Sequence, residues 1–387
     1  MALNFTTLPG RGRAVTAARQ ISPGEQLLCE RPVASMQLPD NADEVRVCRN
    51  CLRPLGTISG QLQHAAGLRT APELPLADDE DDEICEEVRC RNGSAATFCS
   101  KACESAANVG FHRYFCATRG PKLAALKAFE QHAMEEGENF LFGARLVTEM
   151  LARADALHRK RPGRDEASCT AEAREVLAPF CRGLWWEIAE PPPDLTPTEV
   201  KSFRTEMRDA ASESLDLLRK LLVECGEPAS RLRWLDLNEW GGMLGLARQN
   251  NICCELYNPT SEVVPMLRCH AAAVPSPALD ALLARLPRAL PDVMGTALYS
   301  QLACINHSCA PNAEVRPAPS GCAEALVVAT RPIAPGTEVT ISYIDANQRA
   351  SVTERRRELL EYGFECACEK CEQEMQWKRR LRRRTEA

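Results

Sequence analysis

The sequence predicts an α+β fold in which small curved β-sheets are interrupted by metal-binding loops and flanked by a block of helices. Three observations point there. Segments with alternating apolar residues lie near both ends, each broken by a Pro-Gly turn signal: "RAVTAARQISPGEQLLCERPVA" at Ser22-Pro23-Gly24 and "VVATRPIAPGTEVTISYID" at Pro335-Gly336. Between them, stretches such as "PKLAALKAFEQHAMEEGENFLFGARLVTEMLARADAL" carry apolar residues at helical spacing and few strand formers. Cysteines a few residues apart recur towards both ends, the pattern by which a chain presents soft ligands to a tetrahedral metal.

Taken in order, the first Pro-Gly segment reads as a hairpin, because proline presets φ and glycine supplies the permissive angle. The second repeats the device, through shared turn chemistry rather than duplication. The central stretches read as helices packed beside the small β core. Near the C-terminus, "SVTERRRELLEYG" opens with a Ser351-x-x-Glu354 capping box and stops at Gly363, so a short helix should separate Tyr343 from the final cysteines.

Composition narrows the setting. With 387 residues, 45% hydrophobic and 26% charged, the chain is long enough for two or three domains with well-buried cores. No apolar run approaches the roughly 18 residues of a membrane span. The start, "MALNFTTLPGRGRAV", lacks the apolar stretch of a signal peptide, so an intracellular protein, cytoplasmic or nuclear, is expected. A net charge of −6 argues against a general nucleic-acid binder, with "KRRLRRR" from Lys378 to Arg384 as a local exception. The acidic run "ADDEDDE" reads as a solvated, disordered loop.

Twenty cysteines in a reducing compartment are rarely disulfides. Their spacing is that of zinc ligands: Cys48-x2-Cys51, Cys85-x4-Cys90, Cys99-x3-Cys103 and His112-x3-Cys116, eight ligands for two full sites. Cys366, Cys368 and Cys371 in "CACEKC" need a fourth ligand. Cys309, in "CINHSCAPN", lies among polar groups and is the candidate. Taken alone, Cys309 would read as a small buried hydrophobe; three unpartnered thiols at ligand spacing tip the balance to zinc. Such a site would clamp the "NHSC" loop to the chain's end, at a stabilisation of up to about 10 kcal/mol.

"NHSCAPN", "GTEVTISYID" and "LLEYGFECACEKC" together closely resemble the core of SET-domain protein lysine methyltransferases. The Cys48–Cys116 cluster, lying between an N-terminal "GRG" and this core, resembles a MYND finger interrupting the SET domain, the arrangement of the SET-and-MYND-domain (SMYD) family. The resemblance covers residues 5–33, 48–116 and about 240–375. It implies an S-adenosylmethionine-dependent lysine methyltransferase with three zinc ions. In the finger it pairs Cys48, Cys51, Cys99 and Cys103 on one ion, and Cys85, Cys90, His112 and Cys116 on the other. It makes Tyr343 catalytic, and it assigns Asn306, His307 and the Gly10-Arg11-Gly12 loop to the cofactor. Phe364 packs near the adenine, Tyr362 lines the lysine channel, and Asn250 or Asn251 supplies a further cofactor contact.

The chemistry needs such residues. Methyl transfer to lysine requires the neutral amine, which costs roughly 4 kcal/mol near pH 7.4 from an ordinary pKa of about 10.4. An aromatic channel lowers that cost by disfavouring the ammonium and aligning the amine. Expected segments are a first part of the SET domain (1–47), the finger (48–116), a helical insert (117–240), the second part of the SET domain (241–349), a zinc-bound post-SET segment (350–375) and a basic tail (376–387). Several features depart from the family pattern: the four-residue gap between Cys85 and Cys90, Phe111 where a tryptophan is usual, and a long segment between "RQNNICCEL" and "NHSC". The chain also ends within 16 residues of Cys371, so it reads as a short branch without the C-terminal helical repeats and with a more open cleft. The expected partner is a protein substrate with an accessible lysine; neither membrane nor nucleic acid is expected, and the chain should be a monomer. The competing reading is an interaction scaffold, whose finger binds proline-rich partners and whose SET core is inactive.

Overall fold

The computed structural model describes residues 2–69, 74, 83–192, 194–345 and 351–385. The acidic run at 77–83 lies outside them apart from Glu83. Three small sheets form the β core. The first has the order Leu3–Leu8, Gly12–Ala17, Glu338–Ile341 and Asn306–His307; the second joins Ala34–Gln37, Val293–Leu298 and Ile252–Leu256; the third joins Ala313–Pro317, Ala325–Ala329 and Gln26–Glu30. Pairing is antiparallel except between Asn306–His307 and Thr340–Ile341, which run parallel. Their inward side chains, including Val15, Ile21, Val293, Ile305, Ile333 and Val339, make one buried core.

The first Pro-Gly segment is not a hairpin. Strand Gly12–Ala17 pairs with Leu3–Leu8 and with Glu338–Ile341, while Gln26–Glu30 pairs with Ala325–Ala329. Ser22-Pro23-Gly24 is therefore a corner at which the chain leaves one sheet for another. Pro335-Gly336 is a second such corner, and the two lie side by side: Ile21 and Ile333 exchange both backbone hydrogen bonds, and Gly336 N–H donates to Ala17 O at 2.8 Å. Turn chemistry was read correctly, but local signals cannot say whether a turn folds a strand back on its neighbour or sends it to another sheet.

Helices Gly120–Glu136, Asn139–Lys160 and Pro197–Glu224 form where periodicity placed helices, the last opening on a full Thr196–Glu199 capping box. With the Leu237–Asn250 helix they bury a second core around Phe140, Leu146, Leu218 and Trp240, whose indole N–H donates to Ser214 Oγ at 2.8 Å. Helices Thr260–Ala273 and Pro277–Leu283, from the long segment before "NHSC", pack on the Ile58–Ala65 helix beside the finger through Leu62, Val264, Leu267 and Leu282. Val352–Leu359 is a helix with both capping-box bonds formed. The basic tail lies on the last helix, Glu369–Thr385. Among the described residues no helix is long and apolar enough to cross a membrane.

Glu30 ties the third sheet to the loop that carries the chemistry. Its buried carboxylate accepts hydrogen bonds from Ser300 Oγ at 2.9 Å, Gln301 N–H at 3.0 Å and Leu302 N–H at 2.9 Å. These donors open the Leu302–Cys304 turn just ahead of Asn306. Glu30→Gln turns an amide N–H₂ towards groups that are all donors. It should cost about 2 kcal/mol in urea unfolding; an unchanged midpoint would show that the turn holds without the carboxylate.

Candidate active site

The "NHSC" loop is fixed from both sides. Asn312 is buried, donates from Nδ2 to Glu338 O at 2.8 Å and accepts from Thr340 N–H at 2.8 Å, which docks the loop on the Glu338–Ile341 strand. Asn306 Nδ2 donates to Arg13 O at 2.9 Å and Glu338 Oε1 at 2.8 Å. Arg11 reaches back, with Nη2 donating to His307 O at 3.2 Å and Nε pairing with Glu338 at 2.9 Å. Gly10 and Gly12 sit at φ +72° and +68°, where a side chain is strained, and no atom lies within 4 Å of a Cβ placed on either. The structure thus brings Gly10, Arg11, Gly12, Asn306 and His307 together around a backbone that faces open space.

Tyr343 enters the same place from the end of the parallel pair. Its N–H donates to His307 Nδ1 at 3.0 Å and its hydroxyl donates to Ile305 O at 2.7 Å. The ring lies 5.1 Å from Tyr362, 6.3 Å from Phe364 and 5.4 Å from His307, centroid to centroid. Tyr362 donates to Tyr343 O at 3.3 Å. Burial holds the Tyr343 hydroxyl well above its ordinary pKa, so it stays protonated. Burial, helped by the Arg11 and Arg355 guanidiniums, lowers His307 to about 4. The neutral imidazole keeps the lone pair that accepts the Tyr343 N–H.

Sulfur positions fit a metal. A tetrahedral zinc with Zn–S of about 2.3 Å sets its sulfurs about 3.8 Å apart. Cys309 lies 3.8 Å from Cys366 and 3.5 Å from Cys371, and with Cys368 these form a buried four-thiol group. Cys48, Cys51, Cys99 and Cys103 form another, with Cys51–Cys99 at 3.6 Å and Cys99–Cys103 at 3.4 Å. Without a cation such a group cannot ionise together. A hydrogen bond from Cys51 lowers Cys48, whereas burial and the Cys48 charge raise Cys99. In the third group Cys90 lies 3.6 Å from Cys116 and 3.4 Å from His112 Nε2.

Cys85 is not in that third group, which gathers Cys90, His112 and Cys116 alone. Its strand, Glu83–Cys85, pairs with Gly56–Thr57, and its thiol is among the groups that raise the Arg53 pKa. The longer Cys85–Cys90 gap lets Cys85 follow its strand rather than its expected metal partners.

The Asn250 and Asn251 side chains hydrogen-bond to backbone outside the Gly10–Gly12 loop. Every hydrogen bond of the Asn250 side chain goes to the backbone of Cys181 or Leu246. The Asn251 amide turns back on its own helix, with nitrogen donating to Arg248 O at 3.0 Å once oxygen and nitrogen are placed to suit their neighbours. Two residues with roles here were not found in the sequence. Besides Glu30, Arg355 is buried and donates from Nη2 to Cys371 Sγ at 3.5 Å and Glu374 Oε1 at 2.9 Å. An arginine in a charged helix reads as solvated, and nothing local marks it as facing thiolates.

Residues 167–344 match the SET domain. That match, the fold and the finger clusters that precede its second half support a SMYD-like SET methyltransferase. Among curated proteins it is similar to ATXR2 of Arabidopsis thaliana, a histone-lysine N-methyltransferase, with 26% identity over 82% of this chain and 67% of that protein. SMYD5 of Gallus gallus, a protein-lysine N-trimethyltransferase, is 26% identical over 93% of this chain and 83% of its own length. A SET and MYND domain-containing protein of Dictyostelium discoideum is 40% identical, over 20% of this chain and 22% of that protein.

Cys309→Ser should damage the site beyond its own metal, because His307 Nε2 lies 3.2 Å from Cys309 Sγ and holds Tyr343. Metal content should fall by one ion and S-adenosylmethionine affinity by about tenfold or more. A variant that lost one ion yet bound cofactor normally would break this link.

Proposed function

We propose that the protein transfers methyl groups from S-adenosylmethionine to lysine side chains of a protein substrate. The observation that carries this is the placement of Tyr343, held by His307 and Ile305 and walled by Tyr362 and Phe364, next to the Gly10–Gly12 loop. The open backbone of Gly10–Gly12, Asn306, the His307 main chain and the Phe364 ring would hold the cofactor. When bound, it would supply a methyl group on a sulfonium; a neutral amine attacks that carbon in line, the C–S bond breaks and the neutral thioether of S-adenosylhomocysteine leaves. The chain's part is positioning and desolvation. Tyr362, Phe364 and the Tyr343 ring exclude water and disfavour the ammonium form of the entering lysine. Tyr343 spends its proton on Ile305 O, which leaves its oxygen lone pairs to face the amine and the polarised methyl group.

Tyr343→Phe keeps the ring and its burial. Turnover should fall about a hundredfold, or roughly 2.7 kcal/mol, with S-adenosylmethionine affinity nearly unchanged. Calorimetry and a peptide-array methylation assay with mass detection would measure both. Unchanged turnover removes Tyr343 from the chemistry. A wild-type chain that binds no S-adenosylmethionine supports the scaffold reading instead.

Three structural zinc ions are part of this reading: one on each four-cysteine group and one on Cys90, His112 and Cys116 with a non-protein fourth ligand. Elemental analysis should give three per chain, two in Cys90→Ser and still three in Cys85→Ser. A fall to two in Cys85→Ser would make Cys85 the fourth ligand after all.

A further inference from the structure

The helical insert reaches the active site through the strap Cys181–Ile188. It crosses the Leu237–Asn250 helix over three glycines that make room for it. A Cβ on Gly241 would collide with the Trp186 ring, one on Gly242 would sit 2.5 Å from Arg182 Nε, and one on Gly245 would strike the Gly183 carbonyl. The far end of the strap is anchored in the helical core, where Trp185 meets Phe140 edge-on at 5.1 Å. Its near end is held by Asn250. Oδ1 accepts the Cys181 N–H at 2.9 Å, and Nδ2 donates to Cys181 O at 2.8 Å and to Leu246 O at 2.8 Å. One side chain thus pairs with both backbone groups of one residue, as a neighbouring strand would. Both amide hydrogens are spent in doing so.

Contacts then continue towards the site. Cys181 is exposed, and its thiol accepts from Arg13 Nη2 at 3.5 Å. Arg13 O is the acceptor for Asn306 Nδ2 at 2.9 Å. We propose that Asn250 is a positioning residue for methyl transfer, clamping Cys181 so that the strap forms a third wall of the site, against Arg13 and beside the Gly10–Gly12 loop. This rests on the methyltransferase reading above. The Cys181 thiol is near enough to Tyr343 that, after burial, its charge is the next cause of the raised Tyr343 pKa.

Three measurements test the clamp. First, S-adenosylhomocysteine binding by calorimetry and turnover of the wild-type chain decide whether the methyltransferase reading holds at all. Second, iodoacetamide labelling of Cys181, followed by mass spectrometry of its peptide, should slow about tenfold in the wild type when S-adenosylhomocysteine is bound. It should quicken in ligand-free Asn250→Ala relative to ligand-free wild type. Third, kcat should fall about 10- to 100-fold in Asn250→Ala. Asn250→Asp should fall as far, because it keeps the acceptor but sets a carboxylate oxygen against two carbonyls. A merely structural role would lower the unfolding midpoint without changing Cys181 protection. The clamp is overturned if Asn250→Ala labels and turns over like the wild type, or if bound S-adenosylhomocysteine leaves Cys181 labelling unchanged. Should Asn250→Ala not fold, Asn250→Asp and wild-type protection still decide. A wild type that binds no S-adenosylhomocysteine overturns the methyltransferase reading, and the ligand-free labelling comparison then tests the clamp alone.

Discussion

The contact between Cys309 and His307 is the interaction on which the site depends. Cys309 Sγ belongs to the C-terminal thiol group and lies 3.2 Å from His307 Nε2, and the other nitrogen of that ring accepts the Tyr343 N–H. The four-thiol tail and the tyrosine therefore share one imidazole. A four-thiolate set keeps a net negative charge even around Zn²⁺, and burying that charge is costly unless a cation offsets it. Arg355 supplies the cation, from a helix whose capping box starts it at a fixed residue. Ordering of the tail and shaping of the pocket are in this sense one equilibrium.

A second constraint is topological. Strands from the first 30 residues and from residues 306 to 341 interleave in the same sheets, and the two Pro-Gly corners pair with each other. Neither end can complete a sheet alone. Finger, helical insert and the 260–290 segment all leave from between these strands, so each can vary in length without touching the pairing. Contacts of such sequence separation are slow to form because loop closure precedes their reward. The buried Glu30 carboxylate and Asn312 amide then fix the register of a loop whose Leu302, Ile305 and Cys309 side chains are themselves buried.

The site is made for holding and drying rather than for proton traffic. Tyr343 is kept protonated, His307 is kept neutral, and the remaining walls are aromatic. Chemistry of this kind depends on where backbone and rings are held, which gives weight to residues that touch no reactant. Glu30, Asn312 and Asn250 bond backbone groups, Arg355 bonds the Cys371 thiol and Glu374, and together they fix the elements that carry the site.

The sequence alone determined the chemical inventory. Metal-ligand spacing, the "NHSC" loop, the tyrosine strand and the three-cysteine tail are local patterns, because ligands close in sequence and capping residues act over a few positions. Helical periodicity and the Ser351 box were readable for the same reason. Tertiary structure decided what local pattern cannot encode. Whether Pro-Gly made a hairpin or a corner depended on partners some 300 residues away in sequence. Cys85 followed its strand, paired with Gly56, although its spacing suggested a ligand beside Cys90. Nothing local marked Arg355 or Glu30 as buried with a partner set, and Asn250, expected at the cofactor, holds the Cys181 backbone. In each case the outcome was set by which groups were left to satisfy once the chain had closed, a quantity that exists only in the folded state.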